Sequence, residues 1–372
     1  MKYVHLAGTN AKGSTAQYVA EILSQSHQCG LFTSPHIISP CERMRINGKM
    51  ISQKKYDVYM KNAKGEHDSH LFCVWTRAAL AWFEDQKVQY AVIETGLGGR
   101  CDPTNVIPAQ MQILTPISYD HMELLGHTLT EIAHEKCGII KKNSLVISHP
   151  QDEEAMRVIR QTCNGMNAAL IVLNEKNIRL KNSGLMGQCF DFSYNGQDFK
   201  ELHIDGISPM QVDNACVAIM AAAELGIAKK EIIDGIENTR IQARVQRCND
   251  VIIDGAHNSA AMDELANTIK KYFKKQHITV LCAVMQDKDI MSITKRIEDF
   301  ADDVVCTCAD NKRGISAREL KQFFIKQAVS IENPEYAYES AMEIVSKKKG
   351  ILVVCGSFYL AAHILKILGK EL

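Results

Sequence analysis

Residues 3–15 read YVHLAGTNAKGST, an apolar run that passes directly into a polar turn containing two glycines and a lysine. Helical periodicity follows over residues 14–24. A strand, a tight turn and a helix start in sequence present unpaired backbone N–H groups and the positive end of the helix dipole to an anion. The stretch therefore predicts a phosphate-binding turn near the beginning of an α/β domain.

The side chains of this turn predict contacts with a nucleotide. Lys12 would reach the terminal phosphates, and Ser14 or Thr15 would reach a bound Mg²⁺. The match to the common G-x-x-x-x-G-K-[ST] pattern is imperfect, because Leu6 and Ala11 stand at its two glycine positions. By itself the turn is open to two interpretations, a nucleotide site or an ordinary glycine-rich turn.

The size and charge of the chain exclude several classes of protein. Its 372 residues exceed what one hydrophobic core usually supports, so we expect two domains. Because 43 Lys and Arg residues balance 43 Asp and Glu residues, no net positive charge attracts nucleic acid. The thirteen cysteines form no C-x-x-C pair, and the sequence contains neither a signal-peptide pattern nor an apolar run that spans a bilayer. We expect a cytoplasmic protein without nucleic-acid or membrane partners.

Short apolar runs alternate with helical patterns, which predicts α/β architecture with mostly parallel sheets. Residues 239–250 are polar and lack apolar periodicity, which is typical of a linker. We predict a P-loop-type, mostly parallel sheet with helices on both faces in residues 1–239, a hinge at 240–250, and a smaller Rossmann-like α/β domain at 251–372. Predicted strands are 3–7, 30–33, 90–94, 111–115, 145–148, 170–173, 251–254, 278–283, 303–307 and 351–355, with a hairpin at 188–204 and helices at 69–86, 128–140 and 211–225.

Polar side chains follow several predicted strands of the first domain. Ser34 and His36 follow one strand, Glu94 ends another, and Asp120 with His121 follows a third. Ligands of α/β folds bind where the carboxyl ends of parallel strands meet, and a carboxylate oxygen suits Mg²⁺. Two alternatives stay open, namely that Glu94 caps a turn and that His121 is a hydrogen-bonded structural residue.

The second domain shows the same arrangement once. An apolar strand delivers Asp254 and His257 at its tip, although Asp254 and Asn258 could instead cap the helix that begins near residue 259. Other conspicuous polar groups are interpreted as solvated surface: His67 with His70, and the lysine run 347–349.

Short motifs follow one another along nearly the whole chain. They are GTNAKGS at 8–14, TSPH at 33–36, ERMRING at 42–48, ETGLGGRCDPTN at 94–105, DH at 120–121 with LLG at 124–126, EK at 135–136 with GIIK at 138–141, Gln211 with Asn214, DGAHN at 254–258 and GSFY at 356–359. Each is weak alone, but their order and spacing are highly specific. Together they resemble the folylpolyglutamate synthase and dihydrofolate synthase family of the Mur-ligase superfamily.

This resemblance implies an ATP-dependent ligase that adds L-glutamate to the side-chain carboxylate of a folate tail through an acyl phosphate. It leaves open whether the first glutamate is also joined to dihydropteroate. A carboxylate is a poor acyl donor, so phosphoryl transfer from ATP must activate it, and this step needs positioning and charge neutralisation. The implied partners are ATP, Mg²⁺, folate or dihydropteroate and glutamate, and the family habit implies a monomer.

The resemblance also implies a role for particular residues. The phosphates would be held by Gly8, Thr9, Asn10, Ala11, Lys12, Gly13, Ser14 and Thr15, and the rest of the nucleotide by Asn214, Arg244, Asp254 and His257. The metal ligands would be Ser34, Glu94, His121 and Lys136, and the catalytic residues Lys12, His121 and Lys136.

Lys136 resembles the lysine that family members carry as a carbamate near a second metal. A free ammonium beside Mg²⁺ would repel it, whereas a carbamate is an anionic oxygen ligand. The alternative is that Lys136 pairs with Glu131 or Glu135 on its own helix.

Several positions depart from the family pattern. Ala11 replaces a glycine, which we expect to require a negative backbone φ. Ala243 stands where a glycine is common before the arginine, Met210 where histidine is common, and Cys41 where asparagine is frequent. The family usually has a helical segment before the first strand, so we expect some packing and pterin contacts to be absent, or the true start to lie upstream.

Two rival functions remain. A peptidoglycan-precursor ligase would run the same chemistry, but such enzymes carry an additional N-terminal domain, for which we expect no room before the phosphate turn. A nucleotide-binding switch without ligase activity would have no use for Glu94, His121 and Lys136 together.

Overall fold

The computed structural model describes residues 1–65, 70–309 and 313–369, and it divides into two compact units. The first unit comprises Met1–Ser183, Gly187–Asp205 and Met210–Arg240, and the second comprises Gly184–Met186, Gly206–Pro209 and Ile241–Leu372.

An eight-stranded sheet forms the centre of the first unit. Its strands are β1 (Lys2–Ala7), β2 (Cys29–Phe32), β3 (Met44–Ile46), β4 (Lys49–Met50), β5 (Tyr90–Glu94), β6 (Met111–Leu114), β7 (Leu145–Ser148) and β8 (Ala169–Val172). They lie in the order β4-β3-β2-β5-β1-β6-β7-β8. Six strands are mutually parallel, namely β2, β5, β1, β6, β7 and β8, and β3 and β4 extend one edge in antiparallel fashion.

The register of β1 places the phosphate turn between two neighbouring strand ends. Leu6 of β1 pairs with Glu94, the last residue of β5, and Ala7 pairs with Leu114, the last residue of β6. Because all three strands are parallel, the chain leaves them at the same edge of the sheet. Glu94 and the segment after Leu114 therefore flank the turn that begins at Gly8.

Helices and a small antiparallel sheet complete the first unit. The helices are α1 (Lys12–Ser24), α2 (Gln53–Ala63), α3 (Leu71–Asp85), α4 (Met122–Leu125), α5 (Leu129–Cys137), α6 (Glu153–Gly165), α7 (Met210–Glu224) and α8 (Lys229–Asn238), and the sheet consists of β9 (Ile178–Gly184), β10 (Gly187–Tyr194) and β11 (Gln197–Ile204). Helix α1 buries Ala16, Val19, Ile22 and Leu23. It packs closely on α8, because a Cβ at Gly235 would lie 2.4 Å from the Ile22 Cα.

The second unit contains a six-stranded sheet. Its strands are β12 (Gln246–Cys248), β13 (Val251–Ile253), β14 (Ile278–Cys282), β15 (Asp303–Cys306), β16 (Ala328–Ser330) and β17 (Ile351–Cys355), and its helices are α9 (Ser259–Tyr272), α10 (Ile290–Glu298), α11 (Ala317–Lys321), α12 (Pro334–Lys348) and α13 (Phe358–Ile367). The order is β12-β13-β17-β14-β15-β16, with β12 antiparallel to its neighbour and the remaining strands parallel. One face covers an apolar core that includes Ile252, Val280 and Val353.

The predicted fold class is confirmed, since both units are α/β with mostly parallel sheets. Predicted strand positions agree with the observed ones within about a residue at each end, in the usual range for strand boundaries. The predicted hairpin at 188–204 is confirmed as β10 and β11, and β9 adds a third strand to the same sheet. The predicted linker at 239–250 contains one short strand, β12, which pairs with β13.

Some sequence-based expectations concern residues outside the described part of the chain. His67 and Ser69, the predicted first residue of a helix, lie outside it, whereas His70 is exposed immediately before α3. The lysine run 347–349 is exposed at the end of α12. Across the described ranges, no helix has the length and apolarity that crossing a membrane demands.

Candidate nucleotide and metal site

The phosphate turn is tied to the segment that leaves β6. Thr9 Oγ1 donates to the Ser118 carbonyl (2.9 Å) and accepts from the Ser118 amide (3.0 Å), while Thr115 Oγ1 donates to the Asn10 carbonyl (2.7 Å). Gly8 has no room for a side chain, because its Cβ would lie 1.9 Å from Thr115 Oγ1. These contacts fix the backbone of the turn before any ligand binds.

Ala11 adopts a left-handed conformation at the N-cap of α1, with φ at 66°. The expectation of a negative φ at this position was therefore wrong. The turn needs the left-handed conformation to lead into the helix. In this conformation the Cβ atom of alanine causes steric strain that a glycine would not have. The helix begins at Lys12, two residues before the predicted start at Ser14.

Glu94 lies directly beside the turn. Its carboxylate is buried, accepts a hydrogen bond from the Ser34 amide (2.9 Å), and has Oε2 3.4 Å from the position of a Cβ on Gly13. Three predicted site residues from three strand ends, Gly13, Ser34 and Glu94, are thus brought together. Glu94 does not serve simply to cap a turn.

The loop that carries Ser34 is held by a second buried carboxylate. Glu42 accepts hydrogen bonds from the amides of Ile37 (2.7 Å), Ile38 (2.6 Å) and Ser39. Such a carboxylate orders the backbone between β2 and β3, and with it the position of Ser34.

Two lysines share one carbonyl at the start of the turn. Lys12 Nζ donates to the carbonyls of Gly8 (3.1 Å) and Thr9 (3.2 Å), and Lys136 Nζ donates to the same Gly8 oxygen (2.9 Å). Lys136 is 3% exposed. Burial, reinforced by the charge of Lys12, lowers the pKa of Lys136 from 10.5 to about 7, against the opposing carboxylates of Asp120 and Asp102.

The alternative that Lys136 pairs with a neighbouring glutamate is wrong. Glu135 is paired with Arg100 (2.6 Å), and Glu131 accepts from Thr128 in the capping box that opens α5. Lys136 instead points at the turn.

A glycine loop fixes the backbone of Lys136 relative to Glu94. A Cβ on Gly99 would lie 2.7 Å from the Lys136 carbonyl, and a Cβ on Gly138 would lie 2.4 Å from the Arg100 Cα. Asp102 orders the same loop by accepting from the amides of Gly96 and Leu97, each at 2.9 Å. The loop that follows β5 therefore packs without side chains against the end of α5.

His121 lies on the loop after β6, where it immediately precedes α4 with a left-handed φ of 50°. Its Nε2 is 3.9 Å from Asp120 Oδ1, and about a third of its side chain is exposed. Asp120 also acts electrostatically on Lys136. Asp120 is thus a charged neighbour of both His121 and Lys136.

Asn214 belongs to a buried network that includes a residue the sequence analysis missed. Its Oδ1 lies 3.0 Å from His149 Nε2 and accepts from Thr15 Oγ1 at 3.3 Å. His149 follows β7 in the same way as the other polar residues follow their strands. That pattern could have identified it, but the run Ser-His-Pro lacks a motif of its own.

The predicted residues of the second unit form a separate cluster. Asp254 is buried, its two oxygens accept from the amides of Val245 (2.7 Å) and Ala256 (2.6 Å), and burial raises its pKa. The Arg244 guanidinium lies 4.8 Å from the centre of the Phe358 ring, and the His257 ring lies 5.5 Å from it.

The capping alternative for this cluster is half right. Asn258 caps α9 by accepting from the Ala261 amide (2.9 Å), whereas Asp254 orders the loop that carries Arg244 by accepting from the Val245 amide. Ala243 and Val245, which flank the arginine, both have left-handed φ angles of 50°. For a β-branched residue such as Val245 this conformation is strained.

Metal binding at the first unit would need oxygen atoms from a substrate. Within residues 1–65, 70–309 and 313–369, no three His, Cys, Asp or Glu side chains are grouped so as to hold a metal ion. Mg²⁺ commonly takes one or two protein ligands and completes its shell with phosphate and water. A buried carboxylate beside a phosphate turn fits that habit.

Comparison with known proteins gives consistent matches. Residues 6–222 match the Mur ligase middle domain and residues 239–358 the Mur ligase glutamate ligase domain. The dihydrofolate synthase/folylpolyglutamate synthase of Bacillus subtilis is 31% identical, over 97% of this chain and 89% of the relative.

Two solved structures extend this similarity to the fold. The Escherichia coli FolC structure in complex with DHPP and ADP has a TM-score of 0.90 at 26% identity, covering 99% of this chain and 88% of that one. The bifunctional folylpolyglutamate synthase/dihydrofolate synthase of Yersinia pestis, complexed with AMPPNP and a Mn ion, has a TM-score of 0.87 at 25% identity, covering 99% and 89%. The chain belongs to the Mur ligases, in the family of the dihydrofolate and folylpolyglutamate synthases.

Proposed function

We propose that the protein is an ATP-dependent ligase that joins the amino group of L-glutamate to the side-chain carboxylate of a folate's glutamyl tail. The observation that carries this proposal is the meeting of the phosphate turn, Glu94 and Lys136 at one edge of the sheet, in a chain that matches ligases of this kind over almost its full length.

The reaction needs two steps. The folate carboxylate takes the γ-phosphoryl group of ATP to give an acyl phosphate and ADP, and the glutamate amine then displaces phosphate to form the amide. The residues of the turn, from Gly8 to Thr15, supply backbone N–H groups and the start of α1 to the phosphates. Lys12 leaves its contacts with the Gly8 and Thr9 carbonyls and neutralises charge on the transferred group.

Glu94, Ser34 and His121 are the proposed Mg²⁺ ligands. Glu94 is held by the Ser34 amide, so its carboxylate keeps one orientation beside the turn. When bound, Mg²⁺ neutralises phosphate charge and orients the reacting oxygens. The AMPPNP and Mn complex of the Yersinia pestis protein supports a divalent ion with the nucleotide.

Lys136 is proposed to act as a carbamate. The neutral amine attacks CO₂, forms an N–C bond and releases one proton, so the product carries a negative charge. A lysine whose pKa is lowered to about 7 has the neutral form available at physiological pH. The carbamate oxygens would then face the turn as a metal ligand in place of the ammonium.

The remaining assignments extend the same proposal. Asn214, Arg244, Asp254 and His257 are proposed nucleotide contacts, and residues 240–250 a hinge between an ATP-binding unit and a smaller C-terminal unit. The protein is proposed to be cytoplasmic and to work as a monomer. Size-exclusion chromatography would test the monomeric state.

A second activity, the addition of glutamate to dihydropteroate, is proposed because the Bacillus subtilis relative is named for both reactions. It would use the same turn and metal ligands, with only the acyl donor, the carboxylate that is phosphorylated, changed. Offering dihydropteroate and tetrahydrofolate separately, with ATP and glutamate, and weighing the products by mass spectrometry separates the two activities.

Phosphate release is the direct test of the proposed function. We expect ATP turnover to require both glutamate and a folate or dihydropteroate, and to fall at least about a hundredfold in Glu94→Gln. Turnover without glutamate would favour a nucleotide-dependent switch and contradict the ligase.

A further inference from the structure

A buried histidine lies at the centre of a polar network behind the phosphate turn. His149 is 1% exposed and its Nε2 lies 3.0 Å from Asn214 Oδ1. Thr15 Oγ1 donates to the same oxygen at 3.3 Å, and Asn214 Nδ2 donates to Gln211 Oε1 at 3.3 Å. The network joins the exit of β7 to α7 and to the first turn of α1.

The hydrogen-bond pattern defines which nitrogen of His149 carries the proton. Because Asn214 gives its Nδ2 to Gln211, its Oδ1 faces His149 and can only accept. Nε2 must therefore be the protonated nitrogen. Burial lowers the pKa of His149 to about 4, so the ring is neutral and donates a single hydrogen bond.

The other ring nitrogen of His149, Nδ1, is buried and makes no hydrogen bond within the described part of the chain. A buried imidazole with one unsatisfied nitrogen is a poor choice for packing, where a leucine would serve better. The hydrogen bond from Nε2 to Asn214 is the interaction that distinguishes histidine from an apolar residue here.

The surrounding backbone holds the ring in place. The His149 amide donates to the Leu114 carbonyl (3.0 Å), and Ser148 Oγ donates to the His149 carbonyl (2.7 Å). Gln151 then connects the same segment to the exit of β6, since its Oε1 accepts from the Ile117 amide (2.9 Å). His149 is therefore a fixed point against which Asn214 and Thr15 are oriented.

We infer that His149 is a positioning residue of the nucleotide site, whose Nε2–H holds the Asn214 amide, and through it Thr15, in the orientation that nucleotide binding requires. The inference rests on the proposed function, because Asn214 and Thr15 are proposed nucleotide contacts there. His149 itself does not touch the nucleotide. Its removal therefore weakens nucleotide binding and leaves the chemical step intact.

The test compares three substitutions of His149 in the full chain. His149→Leu is expected to raise the Kd for ADP and the KM for ATP about tenfold, equivalent to ~1.4 kcal/mol, with kcat changed less than twofold. His149→Gln places an amide N–H near the position of Nε2 and should restore most of the affinity. His149→Asn places its amide near Nδ1 instead and should bind as weakly as the leucine variant.

Gln112→Leu is the matched control for loss of a buried polar side chain. Gln112 is fully buried on β6 and accepts from Ser144 Oγ (2.6 Å), away from the network. The Gln112→Leu protein should be less stable than wild type but keep the wild-type Kd for ADP. If His149→Leu does not fold, the glutamine and asparagine variants alone decide, because only the former preserves the donor.

Two outcomes would overturn the inference. One is equal ADP affinity in wild type, His149→Asn and His149→Leu. The other is a ¹⁵N NMR spectrum of His149 showing the Nδ1–H tautomer or a protonated ring at pH 7. Failure of the wild type to bind ADP at all would contradict the proposed function instead, and the NMR tautomer would still test the geometry of the network.

Discussion

Replacing Lys136 with methionine should make the protein more stable at neutral pH while abolishing ligation. Methionine keeps the length of the side chain and suits a helix, but it removes the buried amine. Lys136 is 3% exposed and donates one hydrogen bond to the Gly8 carbonyl at 2.9 Å. The variant therefore tests two effects of the buried amine separately: its cost to folding stability and its role in ligation.

The expected gain follows from the lowered pKa. Between 10.5 and about 7 the unfolded chain binds a proton at Lys136 that the folded protein does not. At about 1.36 kcal/mol per pH unit this costs the wild type about 4 kcal/mol at pH 7. Loss of the hydrogen bond to the Gly8 carbonyl destabilises the variant by about 1 kcal/mol, which offsets part of this gain. We expect the free energy of unfolding to rise by about 3 kcal/mol in the variant.

The pH dependence has a defined sign. Because the folded-state pKa is depressed for a basic group, wild-type stability rises as the pH increases from 7 to 10.5, and the methionine variant lacks this rise. The advantage of the variant should shrink to zero or reverse by pH 10.5. Urea denaturation in buffers purged of CO₂, at pH 7, 8.5 and 10, measures the difference.

Lys142→Met serves as the control, since Lys142 is exposed on the segment after α5. It should change the free energy of unfolding by less than about 0.5 kcal/mol at each pH. A Lys136→Met protein that is less stable than wild type at pH 7, or a difference that does not vary with pH, would refute the reasoning. Near-normal ligation by the variant would remove Lys136 from the catalytic machinery.

Other predictions test the remaining parts of the site. Ala11→Gly should stabilise the protein by about 0.5–1 kcal/mol in urea denaturation by relieving the left-handed strain, whereas Ala16→Gly in the buried interior of α1 should destabilise it by about 1 kcal/mol; two losses of equal size would contradict this. Glu94→Gln should raise the Mg²⁺ concentration for half-maximal activity at least about tenfold, and an unchanged Mg²⁺ titration would remove Glu94 from the metal site. Gly99→Ala should cost about 2 kcal/mol and lower kcat, because its Cβ must displace the carbonyl of Lys136; wild-type stability would show that the loop yields freely. Enzyme dialysed against CO₂-free buffer should regain activity when CO₂ is supplied, and at equal dissolved CO₂ it should do so faster at pH 8 than at pH 6.5, since the neutral amine of Lys136 increases through a pKa of about 7; recovery independent of CO₂ would exclude the carbamate.

The part of the site that the sequence predicted is the part determined by the parallel direction of the strands. Glu94 and the phosphate turn both follow buried apolar runs, and parallel strands deliver their ends to one edge whatever their exact order. The turn could therefore be placed at the same edge of the sheet as Glu94 without knowing that β1 and β5 are neighbours. The contact of Ser34 with Glu94 follows from the same rule, because β2 pairs with β5.

What the sequence could not predict depends on side chains that meet only after folding. His149 has no motif, and its partners lie on α7 and α1, far away along the chain. The left-handed φ of Ala11 is imposed by the neighbouring segments rather than by alanine, whose own preference opposes it. The short strand β12 lacks apolar periodicity because it forms the edge of its sheet, with only one paired neighbour.

Lys12 and Lys136 both donate to the Gly8 carbonyl, yet their surroundings differ, and this difference explains why the pKa of Lys136 is lowered. Lys12 is only partly buried, so water and bound phosphates can stabilise its charge, whereas Lys136 is buried away from water. Two ammonium groups at the separation that one carbonyl allows repel by about 3 kcal/mol near an effective dielectric of about 20. Burial and this repulsion act together to lower the pKa of Lys136 to about 7. The arrangement that costs the fold stability is thus the same one that yields a nucleophilic amine at neutral pH, and conversion of that amine to an anion would replace the repulsion with attraction to Lys12 and to a metal ion.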